Sequence, residues 1–259
     1  MIRRTVRTAT GPEQWILISQ VEHARLAGEL AESWGRQGVA ALEPRSELLN
    51  AIFHHDDGWA DWERSPGLDP KTGRPLQFTE MPLVESLAIW EDSITSASHF
   101  GPLAGYVVSG HFCELLRRFS SRWKGDEAMT SMAQDFLDSQ AQRQAEWSAE
   151  WAQRPATSEP DATLANALRF LQLFDSLSLW LCCSETPEPE AFESPGGTKI
   201  AVRLSGPGQV AVDPWPFQPE SLQLSAVGRS LPASRYDTPP AFATAPVQPA
   251  TLNWRLLPA

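Results

Sequence analysis

The chain has 259 residues, enough for one large domain or for one domain with an appendage. It carries 32 acidic and 21 basic side chains, a formal net charge of −11. A surface that negative repels phosphate backbones and argues against a nucleic-acid partner, while a bound cation can still reverse the field locally for a small anionic substrate.

The first residues, MIRRTVRTATGPEQWILIS, are partly basic but hold no long apolar run and no cleavage-site pattern. No signal peptide is expected. No apolar stretch approaches the ~18 residues of a membrane span, so no membrane partner is expected either. Cys113, Cys182 and Cys183 show no CxxC spacing and, being odd in number, no disulfide framework. They read as buried packing thiols, and reduced thiols fit a cytoplasmic protein.

In chain order, residues 4–19 read as a β-hairpin, with Gly11-Pro12 as the turn signal between two apolar runs. A helix is expected from Val21 to Trp34, stopped by Gly35. A second should run from Ser46 to about Trp62 and carry LLNAIFHHDDGW. Residues 63–82 are too rich in proline and glycine for a helix, and a loop of that length is often functional. Four further helical stretches follow, at roughly 83–99, 102–122, 126–152 and 161–183, which makes six helices. The third is polar on most faces and reads as a surface helix. PATSEPD at 155–161 separates it from the fourth.

After Ser184 the composition changes, with 13 of the 22 prolines in this last part. Alternating runs at 199–204, 209–212, 222–224 and 252–256 read as short strands. A hairpin alone is too small to be stable, so the one at the N-terminus is expected to join them in a sheet.

The segment Phe53-His54-His55-Asp56-Asp57-Gly58-Trp59 holds two of the five histidines beside two aspartates. Imidazole nitrogen and carboxylate oxygen are standard ligands for divalent ions. Neighbours on a helix point about 100° apart, so the remaining ligands must come from other helices. Asp175 is the only carboxylate between residues 162 and 184, on a strongly apolar helix. An ionised carboxylate there needs a cation, a metal or an N–H partner, unless it lies on the helix's polar edge beside Gln172. His23 aligns with Ala27 and Leu30 on an inward stripe, and His111 aligns with Val107, Val108 and Leu115. Each is either a hydrogen-bonded core histidine or a ligand. His99 ends its helix just before Gly101-Pro102.

A His, a His-Asp dyad some thirty residues later, further His and a late Asp on an apolar helix resemble the HD superfamily of metal-dependent phosphohydrolases. HHDDGW followed much later by PWPF is similar to an uncharacterised bacterial family with an HD-like core, a resemblance that supplies no activity. The superfamily implies a mainly α fold. Here that is an HD-like helical bundle at 20–184, with a small antiparallel sheet from the hairpin and the C-terminal strands. Residues 1–19 and 185–259 then form a β-rich appendage within a single compact unit. The resemblance further implies a divalent metal ion (Zn, Mn, Fe or Mg) on His23, His55, Asp56 and Asp175. Trp59 stands where phosphodiesterase branches often carry Lys, and His99 and His111 are closer in sequence than the added histidines of two-metal branches.

The resulting expectation is hydrolysis of a phosphate ester or similar small molecule by metal-activated water. Asp57 would orient the water, or His54 would shuttle its proton. Lys71 and Arg74 would grip an anionic group, or else are solvated loop charges. Trp59 and Trp62 would wall a substrate ring, or else simply pack. If His99 and His111 held a second ion, the set would match an HD-type di-iron oxygenase. The remaining alternative is a non-catalytic metal-binding or scaffold protein.

Overall fold

The computed structural model describes residues 1–7, 11–154 and 159–259. The expected hairpin tip at 8–10 and residues 155–158 of the expected PATSEPD break lie outside the described residues.

Two short strands open the chain, β1 (Ile2–Val6) and β2 (Gln14–Ile18), paired antiparallel. The Ser19 hydroxyl then accepts the backbone N–H of Glu22 and starts α1 (Gln20–Ser33). The expected helix at 46–62 is broken. It forms α2 (Arg45–Phe53), a tight turn, and α3 (Trp59–Glu63). Next come α4 (Leu83–Ser98), α5 (Pro102–Phe119), α6 (Glu127–Ala152) and α7 (Pro160–Cys183). Proline at the first turn of α5 and of α7 suits positions whose N–H has no helical partner. α6 is mostly exposed and buries only Gln140 and Trp151. The C-terminal part supplies β3 (Glu190–Glu193), β4 (Lys199–Gly206), β5 (Gln209–Asp213), β6 (Leu222–Pro232), a short α8 (Pro239–Ala243) and β7 (Gln248–Pro258). No helix among the described residues is long and apolar enough to cross a membrane.

The mainly α expectation needs correction. The protein is α/β, 49% helix and 21% strand, with one curled seven-stranded sheet in the order β1-β2-β6-β7-β5-β4-β3. The sheet is mixed, because β5 and β7 run parallel while the other pairs are antiparallel. The pairing of Trp15 with Leu231 and of Leu17 with Arg229 joins the N-terminal hairpin to the C-terminal strands. The sequence understated the sheet because β6 contains Gly, Ser and Pro, β7 contains two Pro, and both, of 11 residues each, expose much of one face. Such residues read as turns when strand pairing is not yet known.

The sheet's inner face packs on α1 and α7. Ile200, Val202, Val210, Val212 and Leu256 meet Leu30, Leu177, Trp180 and Leu181 in the main core. Trp34, at the end of α1, is fully buried, and its ring meets Phe170, Phe174 and Phe217 edge-on at 5.5–6.3 Å. Its Nε1–H donates to the Ala40 carbonyl at 2.8 Å. Phe217 comes from the PWPF segment, whose backbone bridges to Trp34 itself. One indole therefore joins α1, α7 and the sheet-forming segment.

Trp34→Ala should cost about 3–5 kcal/mol, since it leaves a large cavity and an unpaired Ala40 carbonyl. Denaturant unfolding followed by fluorescence and by far-ultraviolet circular dichroism checks this. A single transition at lower denaturant is expected from both probes. A loss under about 1 kcal/mol would mean that the helices and the sheet are not coupled through this residue.

Candidate functional site

The turn between α2 and α3 explains how neighbouring residues reach one centre. Residues 54–58 are held by i to i+3 bonds, Trp59 N–H to the Asp56 carbonyl at 3.1 Å and Ala60 N–H to that of Asp57 at 3.1 Å. An unbroken helix would have turned His55 and Asp56 about 100° apart. Gly58 permits the turn to lie against α4. A Cβ there would stand 2.2 Å from the Ile89 carbonyl oxygen and 2.6 Å from the Ser93 nitrogen. The Gly58 N–H instead donates to Ser93 Oγ at 3.0 Å.

His23 from α1, His55 and Asp56 from this turn, and Asp175 from α7 form a closed ring of alternating imidazoles and carboxylates. His23 Nε2 lies 3.2 Å from Asp175 Oδ1 and 3.4 Å from Asp56 Oδ2. His55 Nε2 lies 3.5 Å from each of the same two oxygens. All four residues are buried. His111 of α5 joins from one side, in a second donor group with His55 and Asp175.

The far sides of the two rings are tied to the protein. His55 Nδ1 lies 2.7 Å from the Ile52 carbonyl oxygen, which can only accept, so Nδ1 carries a proton. Ser178 Oγ donates to the Asp175 carbonyl at 2.9 Å, leaving its lone pairs for a proton on His23 Nδ1 at 2.7 Å. Both Nε2 atoms thus face the carboxylates, and neither has a hydrogen-bond partner. If the rings are neutral, two nitrogen lone pairs and two carboxylates point at the same space. The separations are longer than good N–H···O bonds and close to the ~3.0–3.4 Å between adjacent ligands of an ion bound at ~2.1 Å.

Without a cation in the ring, protons take its place. Burial would lower the basicity of His23, but the close approach and negative charge of Asp175 and Asp56 outweigh it and raise its pKa to about 9. The same opposition, burial against the two aspartates, leaves His55 raised. Burial would raise both carboxyls, yet the histidines hold Asp56 and Asp175 below the usual carboxylate range. His111 behaves differently. Burial lowers its pKa against the pull of Asp175, so it stays neutral.

The ring opens into a cavity of about 300 Å³, at the lower end of the range for small-molecule sites. Asp56, Asp175 and His111 are on its lining together with the aromatic rings of Trp59, Trp90 and Phe112. Trp59 is buried, meets Trp62 edge-on at 5.7 Å, and leaves Nε1–H without a partner. A larger, shallower groove of about 720 Å³ runs past Leu17, Arg64 and Arg229 but holds none of this cluster.

Other expected residues fall elsewhere. His54 Nδ1 pairs with Asp57 Oδ2 at 2.9 Å, Ser96 Oγ donates to the same oxygen, and the His54 ring stacks on Phe100. That couple faces α4, and neither His54 nor Asp57 lines the cavity. Lys71 and Arg74 are exposed on a turn closed by Asp69, whose carboxylate accepts Lys71 N–H and Thr72 Oγ1–H. The long loop instead gives the cavity Phe78, Thr79 and Met81. His99 is exposed at the end of α4, so three histidines rather than four meet the two aspartates. Cys113 and Cys182 are buried, but Cys183 is exposed. Gln20, Arg118 and Arg122 line the cavity and were not singled out from the sequence. The available signal was spacing, since Arg118 is seven residues after His111 and falls on the same helical face.

Residues 1–233 match the model of DUF3891, a family described as a protein of unknown function. The chain belongs to this family. No curated protein and no solved structure matches it. The HD resemblance is thereby corrected: the matching family is a different one, and the fold is an α/β architecture with a seven-stranded sheet rather than an HD helical core. A short ordered set of His and Asp reflects what donor chemistry requires, and the same set can arise on unrelated folds.

Gly58→Ala should destabilise the protein by about 1–3 kcal/mol, because its contacts are backbone atoms of α4 that cannot move aside cheaply. Chemical denaturation of the two proteins measures it. Equal midpoints would show that the turn does not depend on close approach to α4.

Proposed function

We propose that this protein is a metal-dependent hydrolase of a small molecule, with one divalent ion held by His23, His55, Asp56 and Asp175. The observation that carries the reading is the ring itself, with both Nδ1 atoms committed to the protein and both Nε2 atoms unpartnered between two buried carboxylates. An ion in that position lowers the pKa of a bound water and polarises the oxygen of a carbonyl or phosphoryl group. The nitrogen-and-oxygen donor set suits Zn, Mn or Fe better than Mg, which prefers an all-oxygen shell.

The chain's own residues have separable roles. Ile52 and Ser178 fix the tautomer and the orientation of the two rings, as the outer partners of ligating histidines do. His111, neutral and facing the cavity, takes the proton from water as the oxygen adds to the carbonyl or phosphoryl centre. The bond to the leaving oxygen or nitrogen then breaks, and His111 returns the proton to it. The aromatic walls exclude bulk water and hold the body of the substrate. Phosphate esters, the class expected from the sequence, are one set of substrates within this reading. His23 and His55 must be unprotonated at Nε2 to bind, so metal binding releases protons and tightens as pH rises.

Elemental analysis of protein purified without a metal-affinity tag should find about one divalent ion per chain. Asp175→Asn should lose it, together with roughly a hundredfold or more of hydrolytic activity on a panel of esters. A chelator should lower the unfolding midpoint of the wild type and leave that of Asp175→Asn unchanged. Metal-free wild type whose midpoint ignores both chelator and added zinc would refute the metal reading.

A further inference from the structure

The charged groups on the cavity lining fall into two sets. One is Asp56 and Asp175 with His111, all buried. If a divalent ion sits among the four ring residues, its charge balances the two carboxylates, so this centre carries no net positive charge and could hold an anion only by direct coordination. The cationic side chains on the cavity lining are Arg118 and Arg122, further along the same wall. Arg118 follows His111 by seven residues, on the same face of α5 and roughly 10 Å along the axis. Arg122 lies in the 3-10 turn that continues α5 (Ser120–Trp123). Its guanidinium sits 4.4 Å from the Phe119 ring and donates to the Thr79 carbonyl at 3.2 Å, which aligns it beside the opening. Among the described residues, neither arginine makes an ion pair.

The lining also includes the apolar side chains of Trp59, Trp90, Phe112, Leu115 and Leu179, and the helix period sets Leu115 between His111 and Arg118. Three lining residues are more than nine-tenths buried and each leaves a polar atom with no protein partner, Nε1–H of Trp59, Oε1 of Gln20 and Nδ1 of His111. A buried donor and a buried acceptor without partners cost free energy unless something else occupies them.

We infer that the ligand is an elongated anionic amphiphile. Its uncharged scissile group lies at the His/Asp centre, an apolar or aromatic body fills the middle, and a carboxylate or phosphate lies roughly 10 Å away on Arg118 and Arg122. This rests on the metal-hydrolase reading for the scissile end only. The anion site follows from the two lining arginines and their helical spacing from His111. It also reverses the position expected for a phosphate: the negative group is the handle by which the molecule is held, and the bond that breaks is at the other end. Lys71 and Arg74 take no part.

The test uses the full chain, both zinc-loaded and chelator-treated, titrated calorimetrically with phenylhexanoate, phenylbutyl phosphate and the neutral phenylhexanol. In chelator-treated protein no metal can capture the anion, and Asp56 and Asp175 repel it. A preference for either anion over the alcohol then reports the arginine end. A preference of roughly tenfold is expected, reduced by added salt because both arginines are exposed. The double variant Arg118→Gln with Arg122→Gln should abolish the preference without changing binding of the alcohol, and the double lysine variant should restore part of it. The substituted side chains are exposed, and circular dichroism confirms that the variants fold. Equal binding of acid and alcohol by wild type, no binding of any probe, or a preference that survives the glutamine variant would each overturn the inference. Metal content measured on the same samples separates the two readings. One zinc per chain without anion preference refutes this inference alone, whereas anion preference without zinc refutes the metal centre and leaves the ligand class standing.

Discussion

Taking a carboxylate out of water costs several kcal/mol unless something positive or proton-donating meets it, and this protein does so twice in one place. Asp56 and Asp175 are buried with His23 and His55 between them. Both oxygens nearest the rings face nitrogens whose other ring atoms are already engaged. The interior must therefore supply positive charge at that point, either as protons on the imidazoles or as an ion. Protonated rings would satisfy the carboxylates poorly, since the separations of 3.2–3.5 Å are long for charge-assisted hydrogen bonds. An ion at the centre of the ring would reach all four donors together.

The surrounding architecture keeps those four donors from relaxing toward one another. Each comes from an element that is braced elsewhere. α1 is capped by Ser19 and anchored at its far end by Trp34. α7 packs beside α1 on the inner face of the sheet through Leu177, Trp180 and Leu181. The turn bearing His55 and Asp56 is pinned to α4 by the close approach at Gly58. The sheet thus serves the site at a distance. Because the N-terminal hairpin pairs with β6, both ends of the chain close around the helices and resist their separation. Groups held by packing need no attraction to one another to stay in place, which is how a like-charged pair can be kept poised for a ligand.

How much of this was readable from the sequence depended on how isolated each signal was. Asp175 stood out because it is a lone carboxylate in an apolar run, and His23 because it interrupts an inward stripe. Their meeting with His55 and Asp56 needed only that the helices pack on their apolar faces. The break at residues 54–58 was hidden, because apolar residues continue at helical spacing from Leu48 through Ile52 to Trp59 and Trp62. That periodicity fits one long helix as well as two short ones, and only the steric demand of Ile89 on Gly58 distinguishes them. The sheet was underestimated because β6 and β7 are specified by long-range pairing rather than by local propensity. The HD resemblance followed an ordered set of His and Asp residues, which are few, and nothing in their order encodes the strands around them.

The arginines of the cavity were unreadable for a different reason. Arg117 and Arg118 close α5, where basic residues are ordinary because they complement the helix dipole. Nothing local separates Arg117, whose side chain takes no part in the cavity lining, from Arg118, whose side chain does. The distinction comes from the helix period, which sets Arg118 in line with His111 and Leu115 and turns Arg117 aside by about 100°. It acquires meaning only once Phe78, Thr79 and Met81 from the long loop cover that face and make it a wall. Histidine, apolar residue and arginine at i, i+4 and i+7 then run along one wall, from the His/Asp centre toward the solvent-exposed guanidinium. On the reading proposed above, a single helix would fix the distance between the bond to be broken and the charge that holds the ligand, with the helical rise, rather than any loop, as the ruler for ligand length.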